Sequence, residues 1–588
     1  MKNSLLVLLF IWIGSQIFAQ ESPNNESEES KHKPVFVGKA KNFYTTPPLT
    51  EIAIPVQNNR DDGKPSVVKN IFFNHEVVNP NPKPYGVDPA MQTRGFSHRF
   101  PETLQSWDGM NSFLYPPDPT GAAGPNHYVQ MVNTEYQIFD KEGNSLFGPV
   151  LLGTLLGGQN AGDPIALYDK DADRWFLSQF SFSNSIFIAI SQTPDPLGEY
   201  FVYEFEMDDF PDYPKYAIWR DGYYFTANKF EGNRCYALER DKMLAGDPDA
   251  AIQGFNLPQL NEGFFFGVLP THAEAALPAE GTPNYFVYMQ DDNWPGVSQD
   301  HIKVWELSID WDNPDNSNMS NPIEIPCQPF NTTYSDIKQP NTTMELDAFN
   351  GFLMYMTNYR DFGTHKSIVL NFSVQASGPN NVGIRWMELR KYGDEDWIIY
   401  QEGTYAPNDE NRWMGSIHMD YQGNIALAYQ VAGEETYLSL RATGRYASDP
   451  PGEMTLEEME LATGTYSQTV SNRNGDYSHL TIDPSDDYTF WFTGQYLANV
   501  SERKTKIVSF KIASDPTRNI GVSTINNPIN GLLTDEEEIT VSIHNYGIDS
   551  VFNYPVSYTV NNGDAVTEII EGHIVCGRNQ APYLCFTS

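Results

Sequence analysis

Asp163-Pro-Ile-Ala-Leu-Tyr-Asp-Lys-Asp-Ala-Asp-Arg-Trp-Phe-Leu-Ser178 runs from an acidic residue into an apolar stretch, turns on aspartates, and returns as an aromatic-rich strand. The same design recurs in Tyr216-Ala-Ile-Trp-Arg-Asp-Gly-Tyr-Tyr-Phe-Thr226 and in Met414-Gly-Ser-Ile-His-Met-Asp-Tyr-Gln-Gly-Asn-Ile-Ala-Leu-Ala-Tyr429. A fourth copy is Asp476-Tyr-Ser-His-Leu-Thr-Ile-Asp-Pro-Ser-Asp-Asp-Tyr-Thr-Phe-Trp-Phe492. A hairpin unit that returns along one chain marks a radial all-β array, a β-propeller. Seven innermost strands are expected, starting near His127, Pro164, Tyr216, His272, Met344, Met414 and Tyr477. Over residues 115–515 this is about 57 residues per unit, a little above the usual blade period, with the excess in loops such as 245–262 and 310–338.

Outward from these units the texture changes. Residues 1–19 carry Lys2, an apolar run and small residues before Gln20, the pattern of a secretory signal peptide cleaved after Ala19. The run is too short to anchor the mature chain, and no later segment has about 18 consecutive apolar residues. Residues 20–114 read as a disordered leader and an N-terminal extension, whose strand-like runs are expected to pack outside the main domain or to close it. Residues 518–588 alternate apolar and polar residues over short strands, with an Asn561-Asn-Gly563 hairpin turn, and fit a small Ig-like β-sandwich. Short helices are expected at 238–246, ended by Gly246, and as a turn at 451–461 after a capping-box-like Thr455.

The formal net charge is −39, and −40 once Lys2 leaves with the leader (−39 − 1). Such a field argues against nucleic acid and anionic membranes as partners. Phe, Tyr and Trp make up 13% of the chain against 19% charged residues, a balance suited to twisted sheets joined by turns. The four cysteines, Cys235, Cys327, Cys576 and Cys585, are too few for a disulfide scaffold and show no zinc spacing.

Asp118 to Gln130, Gly162 to Trp175, Pro211 to Trp219, Arg412 to Tyr429, Arg441 to Pro450 and Gly475 to Phe492 together resemble a widespread group of secreted bacterial propeller proteins. Most of that family has no assigned activity, so the resemblance implies fold and export more than function. The chain departs from the family pattern at Asn474, where a Trp is usual, at His479, where a Ser is usual, and at His418, where a small residue is usual. The C-terminal segment is similar to adhesion-related Ig-like modules, and the leader ending Phe18-Ala-Gln20 resembles those of Bacteroidetes.

Three acidic residues stand just before inner strands: Asp163, Asp212 and Asp476. Equivalent blade positions bring them to one mouth of a central channel, where converging carboxylates suit Ca²⁺. Each also suits an Asx-turn that accepts backbone N–H groups. Asp169, Asp171 and Asp173 read as a hairpin turn, lacking the Gly and Glu of an EF-hand. His127, His272, His418 and His479 fall on the expected inner strands. A uronate-cleaving lyase needs a base for the C5 proton and a cation to offset the carboxylate. His479 with Tyr477, and His418 with Arg412, are the candidates for such work. A His on a strand is equally a hydrogen-bonded packing residue. His127, His272, Tyr213 and Trp219 are the candidate ligand-binding groups, and the Tyr213–Trp219 and Asn261–Gly267 stretches could turn rings to a sugar face or bury them between blades.

The expectation is an all-β chain that binds a glycan or a surface protein outside the cell. The alternative is a polysaccharide lyase, and a third reading is a scaffold. Oligomeric state is not legible.

Overall fold

The computed structural model describes residues 32–52, 66–67, 86–112, 114–228, 234–261, 267–499, 502–513, 520–527, 538–545, 550–559, 566–574, 579–580 and 586–587. The leader, the Phe264–Phe266 cluster, Cys576 and Cys585 lie outside these residues.

The chain is almost entirely β. Its one α-helix among the described residues, Arg240–Ala245, ends on Gly246 in the left-handed conformation that glycine adopts at low cost. Among the described residues from 120 to 510, seven antiparallel runs of mostly consecutive strands follow one another, the fourth and fifth sharing one nine-stranded sheet. Their first strands are Thr120–Ala123, Ile165–Asp169, Asp212–Ile218, Leu269–His272, Thr357–Asp361, Asn411–Met419 and His479–Ile482. Each of these packs against the first strands of the sheets before and after it, and the seventh returns to the first, so that they form a closed circuit. The fourth and fifth are joined by a short parallel pairing of Thr271 with Thr357 and His272 with Asn358.

Local chemistry explains the hairpins. Asp140-Lys-Glu-Gly-Asn144 and Asp420-Tyr-Gln-Gly-Asn424 form the same turn. In each, the Asp Oδ1 accepts from the backbone N–H two and four residues on, and Oδ2 accepts from the Asn side chain. Gly143 and Gly423 sit at φ +89° and +84°, where a side chain would be strained. The strands on either side of the second turn, Asn411–Met419 and Ile425–Ala432, are buried along their whole length.

The N-terminal segment runs along the outer edges of the sheets. Phe36–Lys39 pairs with Ala251–Phe255 of the third sheet and Asn42–Thr45 with Tyr200–Glu206 of the second. Asp88 reaches Arg385 of the fifth at 2.6 Å. Thr103–Ser112 then becomes the fourth strand of the seventh sheet, pairing with Glu502–Phe510. Gln130, buried in the first sheet, joins the ends of the circuit. Its Oε1 accepts from Met110 N at 2.8 Å, and its Nε2 donates to Thr493 and Thr505 at 2.7 and 2.8 Å.

Three expectations need correction. His127 begins the second strand of the first sheet, because the small residues Thr120-Gly-Ala-Ala123 take the inner place. Met344 lies in the long connection 327–356, and the fifth first strand starts at Thr357. Residues 451–461 form no helix; their end, Met459–Ala462, is captured as a strand by Ser439–Arg445.

Near the C-terminus, Ile520–Asn527 and Glu538–Asn545 pair in one sheet and Val551–Tyr558 and Val566–Ile574 in another. Val541, Ile543, Tyr554 and Ile574 share one small core between them.

Candidate functional site

The first strands begin with a repeated backbone feature. Asp118, Asp163, Tyr213, Met414 and Asp476, each just ahead of or near the start of a first strand, all have φ between +45° and +58°. Aspartate tolerates this region better than most residues, but for Tyr213 and Met414 it is strained by about 1–3 kcal/mol each. Strain repeated around one opening points to a site held in place by its surroundings.

Four of the side chains at that opening are carboxylates that act on one another: Asp118, Asp163, Asp212 and Asp476. Burial, reinforced by the neighbouring Asp476 and Asp163 charges, holds the Asp118 carboxyl well above its usual range. Burial raises Asp163 as well, against the pull of Lys215 and of its hydrogen-bonded neighbour Asp118. Asp212 is pushed to about 8 and Asp476 to about 7, again mainly by burial. Among them lies Lys215, itself lowered to about 8 by burial. Its Nζ stands 3.4 Å from the ring centre of Tyr213 and 4.0 Å from that of Tyr477, and donates to Pro214 O at 3.3 Å. Aromatic faces attract a desolvated ammonium, so the two rings clamp it. Arg473 adds a second cation, bonded to Asp476 and 3.6 Å from Asp347. Asn133 fixes the acidic pair: its Nδ2 donates to Asp118, and its Oδ1 accepts from Asp163 N at 2.9 Å.

Tyrosine hydroxyls tie the strands across the opening. Tyr213 donates to Asp476 O at 3.1 Å, Tyr477 to Pro164 O at 3.0 Å and Tyr355 to Tyr216 O at 2.8 Å.

Deeper in, three of the four singled-out histidines feel one another's charge: His272, His418 and His479. All are buried. His479 Nδ1 lies 3.1 Å from Thr120 Oγ1 and its Nε2 3.4 Å from Met356 Sδ; burial pushes its pKa well below 6.5. His272 Nδ1 accepts from Ile218 N at 3.0 Å, and burial lowers it to about 4. His418 Nε2 meets Glu274 at 2.7 Å.

The candidate residues therefore fall into three groups. Asp163, Asp212, Asp476, Tyr213 and Tyr477 meet at the mouth. His272, His418 and His479 meet below it. Arg412, His127 and Trp219 join neither group. Arg412 does not accompany His418, although both lie on Asn411–Met419: its guanidinium is fully buried against Glu458, at 2.7 and 2.9 Å, and against Glu410 O. His127 is half-buried near Asp140, Lys141 and Asp195. Trp219 is core, edge-on to Tyr359 at 4.8 Å, with its N–H on Thr282 O. Asp169 is a structural anchor, forked by Arg240 at 2.7 and 2.9 Å.

Sequence reasoning missed Asp118, Lys215, Arg473, Asp347 and Glu274. Asp118 was findable, since Asp118-Pro119 repeats the Asp163-Pro164 pattern before an inner strand. Lys215 also carried a signal, a lone charge inside the apolar run Tyr213–Trp219. Arg473, Asp347 and Glu274 lie in connections, where spacing shows nothing.

A separate cleft of about 600 Å³ lies among Lys338, Asn408, Glu410, Glu434, Glu435 and Thr436 and contains none of the candidates.

No protein-family model and no curated protein matches the chain. Solved structures with a similar course include the WD40 domain of SCAP from fission yeast, with 10% identity over 66% of this chain and 82% of that one at a TM-score of 0.30. A GH43 glycoside hydrolase shares 9% identity over 69% and 96%, at 0.26. A PL25 ulvan lyase shares 11% over 79% and 93%, at 0.25. At these scores the likenesses carry no argument about this chain's chemistry.

Proposed function

We propose that the chain is an exported, seven-bladed β-propeller that binds an extracellular glycan at the mouth of its channel, followed by a small Ig-like β-sandwich. The seven-sheet circuit and the strand that the N-terminal segment lends to its last sheet support the blade count. The two small sheets with a common core support the sandwich. Export rests on residues 1–19, and the main domain on 115–515. No helix among the described residues is long and apolar enough to cross a membrane.

One observation carries binding over catalysis. His479, His418, Tyr477 and Arg412 are each buried and engaged by protein partners; Asp118, Asp212, Asp476, Tyr213 and Lys215 are buried as well, and among the singled-out mouth carboxylates Asp163 is the one that is half-buried and within a ligand's reach. A base must reach the proton it removes. The Tyr477 hydroxyl is bonded to Pro164 O and raised well above 10 by burial, so it is no phenolate at working pH. Sugar hydroxyls, by contrast, donate readily to carboxylates.

The test is retention of purified protein on immobilised neutral and uronate-containing polysaccharides. Retention by wild type and its loss in Asp163→Asn support the reading. Equal retention by both variants, or none on any glycan, contradicts it.

A further inference from the structure

We propose that Asp118 and Asp163 share one proton, and that the mouth holds its glycan in this acid form and releases it as the pH rises. The release rests on reading the mouth as a binding site; the shared proton does not.

Asp118 and Asp163 are hydrogen-bonded to each other. Two carboxylates are both acceptors, so a hydrogen bond between them requires that one carry a proton. Asn133 fixes the pair in this contact, donating to Asp118 Oδ2 and accepting from Asp163 N at 2.9 Å.

Unfilled valence shows which partner holds the proton. Asp118 is fully buried, and no donor reaches its Oδ1. A buried carboxylate oxygen without a donor is costly, whereas a carboxylic acid needs only an acceptor for its own O–H. Asp163 is the better acceptor. Its Oδ2 takes Tyr213 N at 3.0 Å, and it is half-buried, where water lowers the cost of charge. The proton therefore sits on Asp118.

No neighbouring cation supplies what Oδ1 lacks. Lys215 donates to Pro214 O and turns its ammonium to the faces of Tyr213 and Tyr477. Arg473 is committed to Asp476 and Asp347. A shared divalent ion does not fit either: among the described residues, the three carboxylates whose oxygens lie within 4.8 Å of one another are Asp291, Asp292 and Asp300, none of them at the mouth.

The surroundings make the pair sensitive to pH. Facing Asp118 are Lys215 and Tyr213 from the third sheet and Arg473, Asp476 and Tyr477 from the seventh. His479 lies below, against Thr120, and Asp212 faces Asp163 and Asp476. As the pH rises, Asp476 ionises near 7 and Asp212 near 8, while Lys215 gives up its positive charge near 8. Negative charge thus accumulates as its compensation leaves. Breaking the Asp118 O–H bond then sends the proton to solvent past Asp163 and puts two anions in contact. Asp118 and Asp163 stand at φ +45° and +46°, conformations that their surroundings must hold. Their repulsion displaces Asp163, the carboxylate within a ligand's reach.

The experiment compares urea unfolding of full-length wild type and Asp118→Asn from about pH 5 to about pH 8. Asparagine keeps the pattern of the acid, donating to Asp163 and accepting from Asn133. The Asp118 carboxyl is raised above its ordinary 3.8 in the folded chain, so wild type loses stability as the pH rises through this range and the asparagine does not. The buried histidines act alike on both chains. The midpoint of the variant is expected to gain on that of wild type with each step upward in pH. A midpoint below that of wild type by a constant or growing margin overturns the proposal. Infrared spectroscopy of wild type serves if the variant does not fold. A protonated-carboxyl band is expected at about pH 7.5, where ordinary carboxyls are ionised, and its absence overturns the proposal. Glycan retention by wild type should fall between about pH 6 and about pH 9, and that by Asp118→Asn should fall less. Retention by wild type that is constant over this range overturns the release. Retention on no glycan at any pH sinks the functional reading, and the unfolding comparison still decides on the shared proton.

Discussion

Lys215 shows how one side chain can hold a charged cluster together. Without its ammonium, the buried carboxylates around it lose a compensating charge, and breaking such compensation costs about 3 kcal/mol or more. Lys215→Met should therefore lower the urea midpoint clearly. An unchanged midpoint would show that the carboxyls are neutral without it. The histidines below the mouth set a pH limit. His272 is lowered to about 4 in the folded chain from 6.5, so the unfolded chain binds the proton that the folded chain refuses. Its contribution to stability is complete above pH 6.5 and is lost as pH falls from 6.5 through about 4. Glu274 and Asp169 oppose the shift and His418 adds to it; His479, lowered well below 6.5, acts in the same direction. Urea unfolding should show wild type losing stability between pH 7 and 5, and His272→Asn, whose amide oxygen can still accept from Ile218 N, losing less. Convergence of Asp163, Asp212 and Asp476 was legible because each precedes an inner strand. The burial of His418 and His479 was not, because strand parity alone does not say whether a channel is open or filled.

At the scale of elements, the junction between the seventh and first sheets is where the circuit closes. A Cβ on Gly109 would stand 2.3 Å from Gln130 Oε1 and 2.6 Å from Thr505 Oγ1. Gly109→Ala should thus displace Gln130 from its three buried hydrogen bonds and destabilise the chain by about 1–3 kcal/mol. A thermal shift indistinguishable from wild type would mean that the junction does not depend on this bridge. The repeated units were legible from the alternation of acidic turn and aromatic return. The true first strand of the first sheet was not, because Thr120-Gly-Ala-Ala123 is too small and bland to stand out beside His127-Tyr-Val. The fifth was hidden by the 30 residues of connection before it, whose length breaks the period.

The whole molecule combines an all-β circuit, a belt of N-terminal chain along its outer edges and a cluster of acidic, tyrosine and basic side chains above three buried histidines. The belt was legible only as strand-like runs among prolines. Which sheet each run joins depends on edges left open by residues up to about 400 positions away, and no local pattern encodes that. Whether the mouth binds or cleaves is decided by incubating the purified protein with uronate-containing and neutral polysaccharides, with and without calcium. Absorbance at the unsaturated-uronate band, reducing ends and retention are followed on the same samples. The account predicts retention on at least one glycan, with no new absorbance and no new reducing ends. A rise in both signals, abolished in His479→Ala, would make the buried histidines catalytic and contradict it.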